Sequence, residues 1–283
     1  MRAVLLIPIV LGIATHLRAA SPTTQTGTFT TKFTERSPTS APNELARRFG
    51  EKQAIPEYDL SQHEFLIHVP SDYDGSKPMG VVFLLLYKDT TDPPAPCLPM
   101  LAEKRLIFVV PKEHDVMPPA VRCGLVLDAL HNLKLRYAID DKRVFLFATY
   151  ANDFTNQRIA LSCGDVFSGL FISEPAFYRQ LPAKGAKSFY PPRFSPPPTE
   201  VLGKAKLRAV VLSKEHPDDY TTAVVKGFQG DGFKRVKLIE PDHESLHYPN
   251  LDPKFIAEAI EFMEPGAAKG QATTSTTRPA PAK

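Results

Sequence analysis

Short runs of apolar residues recur along the middle of this chain and alternate with segments of helical periodicity. A strand that is apolar at nearly every position is typical of a parallel sheet, because helices cover both faces of such a sheet. The runs of this kind are 80–86, 105–111, 144–147, 169–173, 207–212 and 235–239. Together with a strand at 64–69, they predict an α/β fold, with a doubly wound, mainly parallel sheet in a three-layer α/β/α arrangement.

The helical segments that separate the strands have recognisable features of their own. Over 120–137 the apolar residues recur at helical spacing. The last helix is predicted over 253–263, with Asp252 as its N-cap and Pro253 at its first position. Ligands of such folds bind outside the carboxyl ends of the strands, so we expect the functional site there.

One stretch, 143–169, combines a strand, a sharp turn and a helix. Its strand covers 144–147, the turn of small and polar residues covers 148–152, and the helical run extends over 154–163. A turn of this kind places its central residue at the carboxyl edge of the sheet. The residue at the centre of the turn, Tyr150, is therefore a candidate site residue.

The two ends of the chain differ in composition from its middle. Residues 1–20 read as a signal peptide, with Arg2 before a short apolar stretch and small residues at the cleavage point, which predicts a secreted or periplasmic protein. The alternative is an uncleaved membrane anchor. Residues 21–42 are rich in Thr, Ser and Pro, and 265–283 in Gly, Ala, Thr and Pro, so both are predicted to be disordered. A single domain is predicted over 43–264.

Charge and hydropathy argue against a nucleic-acid partner and against a membrane-spanning segment in the mature chain. The formal net charge is +3, and removing Arg2 and Arg18 with the signal peptide leaves 3 − 2 = +1. No basic stripe interrupts this balance, which argues against a nucleic-acid partner. No later segment reaches the roughly 18 apolar residues of a membrane span, so no span is expected after cleavage of the signal.

The mature chain carries three cysteines, which allow at most one intramolecular disulfide. Cys97 and Cys123 form the candidate pair, since both flank predicted loops. Cys163 lies on the apolar face of a helix and is predicted to be a small buried hydrophobic residue.

Four stretches carry a family resemblance: HVPSDYDGSKPMGVVFLLL, LKLRYAIDDKRVFLFATYAN, LSCGDVFSGLFISEPA and SLHYPNLDPKFIAEAIEFM. They resemble the entry strands, the nucleophile elbow, the strand after it, and the histidine loop of secreted α/β-hydrolase esterases of the polyhydroxybutyrate-depolymerase and feruloyl-esterase type. The resemblance covers about 64–263 and implies a sheet of the α/β-hydrolase type. It also implies a G-x-S-x-G elbow with a serine nucleophile at its tip.

The chemical positions of that elbow depart from the family pattern. Tyr150 stands where the serine is expected, and Ala148 and Asn152 stand at the two glycine positions. A phenol oxygen lies several ångströms beyond a serine hydroxyl, so it cannot take the same attack geometry. The family's glycine-rich oxyanion loop is replaced by a stretch that contains Tyr87 and Lys88 and no glycine. The elbow is therefore predicted to be degenerate.

The base and acid of the family have candidate counterparts. His247 falls at the position of the catalytic histidine, and Asp218 or Asp219 follows the strand at 207–212 as the acid. Either aspartate could instead cap the next helix, and His247 could be a remnant without a role.

The sequence also contains an H-E-x-x-H match, formed by His243, Glu244 and His247. On a helix this spacing binds zinc, with the glutamate as general base. Pro241 and Pro249 flank the match and disfavour a long helix through it. We therefore interpret the match as a coincidence and expect neither a metal nor another cofactor.

Three functions follow, in decreasing order of support. The first is an exported binding module without serine-hydrolase activity, whose pocket holds Tyr87, Lys88, Tyr150 and Ala151 and accepts an unknown small-molecule or glycan-linked ester. The second is a weak or altered carboxylic-ester hydrolase that uses His247. The third is a zinc hydrolase built on the H-E-x-x-H match.

Overall fold

The computed structural model describes residues 25–85, 94–112, 117–149, 153–173, 197–202, 209–213, 219–230, 233, 235–239 and 252–265. The described strands are β1 (Gly27–Lys32), β2 (Glu64–Val69), β3 (Met79–Leu85), β4 (Leu106–Pro111), β5 (Ile139–Thr149), β6 (Gly169–Ser173), β7 (Ala209–Ser213) and β8 (Val236–Ile239). They form one sheet in the order β1-β2-β4-β3-β5-β6-β7-β8. β2 pairs antiparallel with β1 and β4, and all pairs from β4 through β8 are parallel.

Helices cover both faces of this sheet. They are α1 (Pro42–Phe49), α2 (Leu98–Glu103), α3 (Pro119–Arg136), α4 (Asp153–Ser162), α5 (Thr199–Leu202), α6 (Asp219–Gly230) and α7 (Pro253–Met263). Apolar residues of α1, α3, α4 and α6 share one core with the sheet, and those of α2 and α7 share the other. The predicted three-layer α/β/α arrangement is confirmed.

The central strand β3 shows why the apolar runs predict this fold. Val81 and Phe83 point into the core under α3, whereas Val82 and Leu84 point into the core under α7. All four side chains are buried. Each face of the strand therefore needs an apolar residue, which produces a continuous apolar run in place of an alternating one.

The disordered linker predicted over 21–42 is wrong for the part that the structure describes, 25–42. β1 pairs with β2 along its whole length, and its side chains alternate between half-buried and exposed. Threonine is a good strand former, and an edge strand needs only one apolar face, so a composition typical of a linker is compatible with a strand here. The folded part of the chain therefore begins well before residue 43.

The C-terminal helix follows its prediction closely. α7 occupies Pro253–Met263, with Pro253 at its first position. The Asp252 side chain accepts a hydrogen bond of 2.8 Å from the Lys254 amide, which confirms the predicted N-cap. Residues 266–283 of the predicted tail and 1–24, which include the predicted signal peptide, lie outside the described residues.

The predicted cysteine pair, Cys97 with Cys123, is wrong. Cys97 is buried in the core under α2 and α7, whereas Cys123 belongs to the core under α3, on the opposite face of the sheet. The Sγ of Cys123 instead lies 2.8 Å from the Sγ of Cys163. Cys163 is fully buried, as predicted.

The helices in the described part of the chain are all too short or too polar to cross a membrane.

Candidate functional site

The carboxyl ends of β3 to β8 lie along one edge of the sheet, because these strands are parallel neighbours. We call it the carboxyl edge. Every segment that carries a predicted site residue leaves the sheet at this edge. Those segments follow β3, β5, β7 and β8, so all of them start from the same edge of the sheet.

The elbow is bounded tightly by its flanking elements. β5 ends at Thr149, which pairs with Ser173 of β6, and α4 begins at Asp153. The connection therefore consists of residues 150–152, of which Tyr150 and Ala151 are predicted site residues. The predicted order of strand, short connection and helix is confirmed, but β5 extends through Thr149, so residues 148 and 149 of the predicted turn belong to the strand. The three connecting residues themselves lie outside the described residues.

The segment with Tyr87 and Lys88 leaves β3 directly beside the elbow. Leu85, the last residue of β3, pairs with Ala148 near the end of β5. The segment and the elbow therefore start from adjacent strands, about 4.8 Å apart in the hydrogen-bonding direction. Both side chains fall outside the part of the chain that the structure describes.

The acid and base candidates leave from the other neighbouring pair, β7 and β8. Asp219 is the first residue of α6 and Asp218 precedes it, so Asp219 opens a helix while Asp218 lies in the connection outside the described residues. His247 falls in the connection between Ile239 and Pro253, also outside them. β6 and β7 lie between β5, the elbow strand, and β8. The carboxyl ends of β5 and β8 are therefore about 14 Å apart, and the connections after them must bridge that distance.

Two buried polar side chains lie in the helix that follows the elbow, and the sequence analysis did not single them out. Asn156 and Gln157 lie in the first half of α4 and are fully buried. The Asn156 amide donates to the Leu85 carbonyl over 3.4 Å, which ties the helix after the elbow to the end of β3. The signal available in the sequence is a pair of adjacent polar residues within the predicted helical run 154–163. In the structure, the described side chains around them in that helix are buried or half-buried.

A described histidine that could be mistaken for a base belongs to the sheet. His68 lies in β2, away from the carboxyl edge, and its Nδ1 is 2.8 Å from the Thr28 hydroxyl. Burial lowers the pKa of His68, which keeps the ring neutral near pH 7. His68 is thus a structural residue of the β1–β2 pair.

Two solved structures share this architecture. An S-formylglutathione hydrolase from Staphylococcus aureus superposes with a TM-score of 0.52 at 13% identity, over 84% of this chain and 99% of that one. The fluorophosphonate-binding serine hydrolase F from Staphylococcus aureus, with substrate bound, gives 0.51 at 12% identity, over 84% and 98%. The chain has the α/β-hydrolase fold. No protein-family model matches the sequence, and no curated protein is detectably similar to it.

Within the α/β-hydrolase fold, the nucleophile is carried by the turn between a strand and the helix after it, and the acid and histidine follow later in the chain. In this chain the connection 150–152 likewise joins a strand to a helix, and the segments after β7 and β8 follow later in the chain. Identity of 13% establishes the shared fold alone. Whether the reaction is retained depends on the residues at those positions.

The H-E-x-x-H match can be compared only with the described residues around it. They contain no group of three or more His, Cys, Asp or Glu side chains placed to hold a metal ion. Glu258 and Glu261 of α7, the acidic residues downstream of the H-E-x-x-H match, pair with Lys237 at 2.6 Å and Lys104 at 2.5 Å. His243, Glu244 and His247 themselves lie outside the described part of the chain.

A cleft of about 610 Å³ opens beside the carboxyl edge, where α3 begins. Its lining includes Pro118, Pro119 and Arg158. The Arg158 guanidinium donates to the Phe49 carbonyl over 3.1 Å and pairs with Glu51 at 2.9 Å. A cleft of this size and mixed lining can accept part of a small molecule.

Another cleft, of about 470 Å³, lies at the opposite edge of the sheet. Its lining includes Lys134 at the end of α3, Asp141 and Lys142 at the start of β5, and Ser168 just before β6. These are the amino ends of the strands. This cleft is therefore separate from the candidate site.

Proposed function

We propose that this is an exported α/β-hydrolase-fold protein that has lost serine-hydrolase chemistry and binds an ester at its carboxyl edge. The ligand class is a small-molecule or glycan-linked ester, as for the secreted esterases that the sequence resembles. Loss of the nucleophile and binding of an ester are independent parts of the proposal, and each has its own test.

The composition of the connection between β5 and α4 carries this proposal. Because β5 ends at Thr149 and α4 begins at Asp153, the elbow is restricted to Tyr150, Ala151 and Asn152. A serine nucleophile needs a hydroxyl at this tip, next to a base and to oxyanion donors. None of the three residues supplies an aliphatic hydroxyl or a thiol.

Neighbouring nucleophilic groups do not replace the missing serine. Thr149 is still paired within the sheet, opposite Ser173. Ser162 and Cys163 are fully buried at the far end of α4. A helix of ten residues is about 15 Å long, which puts these two groups well away from the carboxyl edge.

The same substitution favours a binding role. A tyrosine at the elbow brings an aromatic face and a phenol hydroxyl to the site, and both are groups that ligands use in binding pockets. Tyr87 adds a second phenol and Lys88 adds a cation able to donate to an ester or carboxylate oxygen. Ala151 completes the predicted pocket as a small residue beside Tyr150.

Binding can be tested with methyl ferulate as the probe, titrated into the purified protein by isothermal calorimetry. We expect saturable binding that weakens about fivefold in Tyr150→Ala, because one aromatic contact is worth about 1 kcal/mol. Tyr137→Phe is the control, since Tyr137 is buried beside Tyr73 and away from the carboxyl edge. Absence of saturable binding, or equal binding by Tyr150→Ala, contradicts a ligand site at the elbow.

Loss of the nucleophile can be tested with a fluorophosphonate probe, which modifies activated serines covalently. We expect no incorporation into the wild-type protein by intact mass. Incorporation at a serine, removed by His247→Ala, would overturn the proposal and support the weak esterase that uses His247. Stoichiometric zinc lost in His243→Ala would instead support the zinc hydrolase.

A further inference from the structure

Cys123 and Cys163 form an isolated pair of thiols inside the α3 side of the protein. Their Sγ atoms are 2.8 Å apart, within about 1 Å of the length of a disulfide bond. Both side chains are fully buried. The two residues are 40 positions apart in the chain, so the contact joins α3 to the end of α4 and is not a local one.

The backbone on each side of this contact is held in place. Cys123 lies inside α3, an 18-residue helix. Cys163 directly follows α4, its amide donates to the Ile159 carbonyl over 2.9 Å, and its carbonyl accepts from the Val166 amide over 2.8 Å. Two sulfurs on such fixed backbones need little rearrangement to approach bonding distance.

The third cysteine cannot compete in the folded protein. Cys97 is buried under α2 and α7, and the sheet separates it from the other two cysteines. Burial, with a contribution from Asp252, raises the pKa of the Cys97 thiol to about 11, so it is almost entirely protonated near neutral pH. The fold therefore selects one partner for Cys123.

The geometry points to Cys123 and Cys163 as a disulfide-forming pair that closes covalently when the chain folds in an oxidising compartment. The oxidant is a small or protein-borne disulfide. The bond would cross-link the helix that follows the candidate elbow to α3. This inference does not depend on the proposed ester ligand.

The chemistry balances as two thiol–disulfide exchanges. The thiolate of one cysteine attacks a sulfur of the oxidant disulfide, whose S–S bond breaks and releases one thiolate. The second cysteine thiolate then attacks the protein sulfur of this mixed disulfide and displaces the other thiolate. The two cysteines lose two electrons and two protons, and the oxidant becomes two thiols.

Burial fixes the stage at which this exchange can occur. α1 packs against both α3 and α4, and the Arg48 guanidinium bonds to the Ser162 carbonyl at 3.3 Å, next to Cys163. Burial and the neighbouring Cys163 thiol raise the pKa of Cys123. A folded, reduced protein is therefore a poor substrate, and we expect the bond to form during folding, while the two thiols are still accessible.

The test is to refold the reduced, unfolded full chain in a mixture of reduced and oxidised glutathione. The product is then denatured, its free thiols are blocked with N-ethylmaleimide, and the intact mass and tryptic peptides are measured. We expect one blocked thiol per chain, at Cys97 in peptide 89–104, and a bridge between peptides 123–134 and 159–179. Chain folded under reducing conditions should show three blocked thiols.

Two variants keep this test decisive. Cys97→Ser should still form the bridge and leave no free thiol, while Cys163→Ser should leave Cys97 and Cys123 free. Both variants keep a residue of similar size at a buried position. Three free thiols in the refolded wild type, meaning a thiol–thiol contact only, would overturn the inference, and so would a bridge that contains Cys97.

Discussion

The Tyr58 hydroxyl donates a hydrogen bond of 2.6 Å to Oδ2 of Asp128, a carboxylate with no exposed surface. Asp128 also accepts from the Ser37 amide at 2.6 Å and from the Ser40 hydroxyl, and it pairs with Arg36 at 2.9 Å. These donors all lie in the N-terminal segment that precedes β2, whereas Asp128 belongs to α3. Burial and Asp128 raise the pKa of Tyr58, which keeps the phenol protonated as a donor. The buried Asp128 carboxylate thus holds the N-terminal segment against α3.

Replacement of this carboxylate should be strongly destabilising. In Asp128→Ala the Tyr58, Ser37 and Ser40 donors and the Arg36 charge lose their common acceptor, which we expect to lower the free energy of unfolding by about 3–5 kcal/mol. Urea denaturation measures this. The control Asp141→Ala, whose carboxylate is mostly exposed beside Lys134, should change the value by less than about 0.5 kcal/mol. Equal stability of the two variants would contradict the anchoring role.

A glycine beside Tyr58 gives a second test of the same contact. A Cβ on Gly124 would lie only 2.4 Å from the Tyr58 hydroxyl oxygen. Gly124→Ala should therefore cost about 1–3 kcal/mol, and less in a Tyr58→Phe background, where that oxygen is absent. Gly230→Ala, whose Cβ meets nothing within 4 Å, is the control and should be near neutral. A double-mutant cycle with no coupling would show that the hydroxyl does not limit this position.

The ion pair between Arg48 and Asp165 should appear in the acid dependence of stability. Two bonds of 2.6 and 2.9 Å join the guanidinium to the carboxylate. Burial opposes ionisation of Asp165, but the hydrogen bonds and charge of Arg48 outweigh it and lower the pKa of Asp165. A lowered folded-state pKa contributes stability above the unfolded value of about 3.9, and this contribution is lost as the pH falls through the folded-state pKa.

Asp165→Asn should therefore be less stable than wild type by about 1 kcal/mol or less near pH 7, because the carboxylate is partly exposed and screened. The difference should stay level down to about pH 5 and shrink below about pH 4. Unfolding free energies measured from pH 7 to pH 2 check this. A difference that grows on acidification would have the wrong sign.

If the Cys123–Cys163 bond forms, it should stabilise the domain. Loop closure over 40 residues reduces the entropy of the unfolded chain, which corresponds to about 4 kcal/mol. The comparison is urea denaturation of oxidised wild type with and without a reductant. Cys163→Ser should show no effect of the reductant, and an oxidised protein no more stable than the reduced one would contradict the prediction.

The sheet could be predicted well because central strands such as β3 and β4 are buried on both faces. The strand at 169–173 and the helix at 253–263 have the bounds that the sequence analysis gave, and the other predicted strands between 64 and 239 appear at their predicted places. Continuous apolar runs and an N-cap such as Asp252 are local signals. Local signals suffice where burial alone determines the element.

The N-terminal segment could not be predicted in the same way, because its order depends on distant residues. Ser37 and Asp128 are 91 positions apart, and neither lies in a pattern that indicates the other. The cysteine contact has the same character, since the choice between Cys97 and Cys163 as partner of Cys123 depends on which face of the sheet each one occupies. Composition and spacing along the chain do not contain that information.

For the candidate site, the sequence predicts which strand each residue follows, and the topology agrees. Tyr150 follows β5 directly, Asp218 follows β7, and His247 follows β8. Their mutual distances depend on the connections that carry them, which no periodic pattern determines. The buried Asn156 in α4 was missed because a polar residue in a helix normally indicates an exposed face.

The most direct test of the central claim is hydrolysis of p-nitrophenyl acetate by the purified protein, measured beside its His247→Ala variant. We predict that both proteins give the same background rate, because Tyr150 stands where the nucleophile is needed. A wild-type rate well above background that is lost in His247→Ala would mean that a working nucleophile is present, and the claim of lost serine-hydrolase chemistry would be wrong.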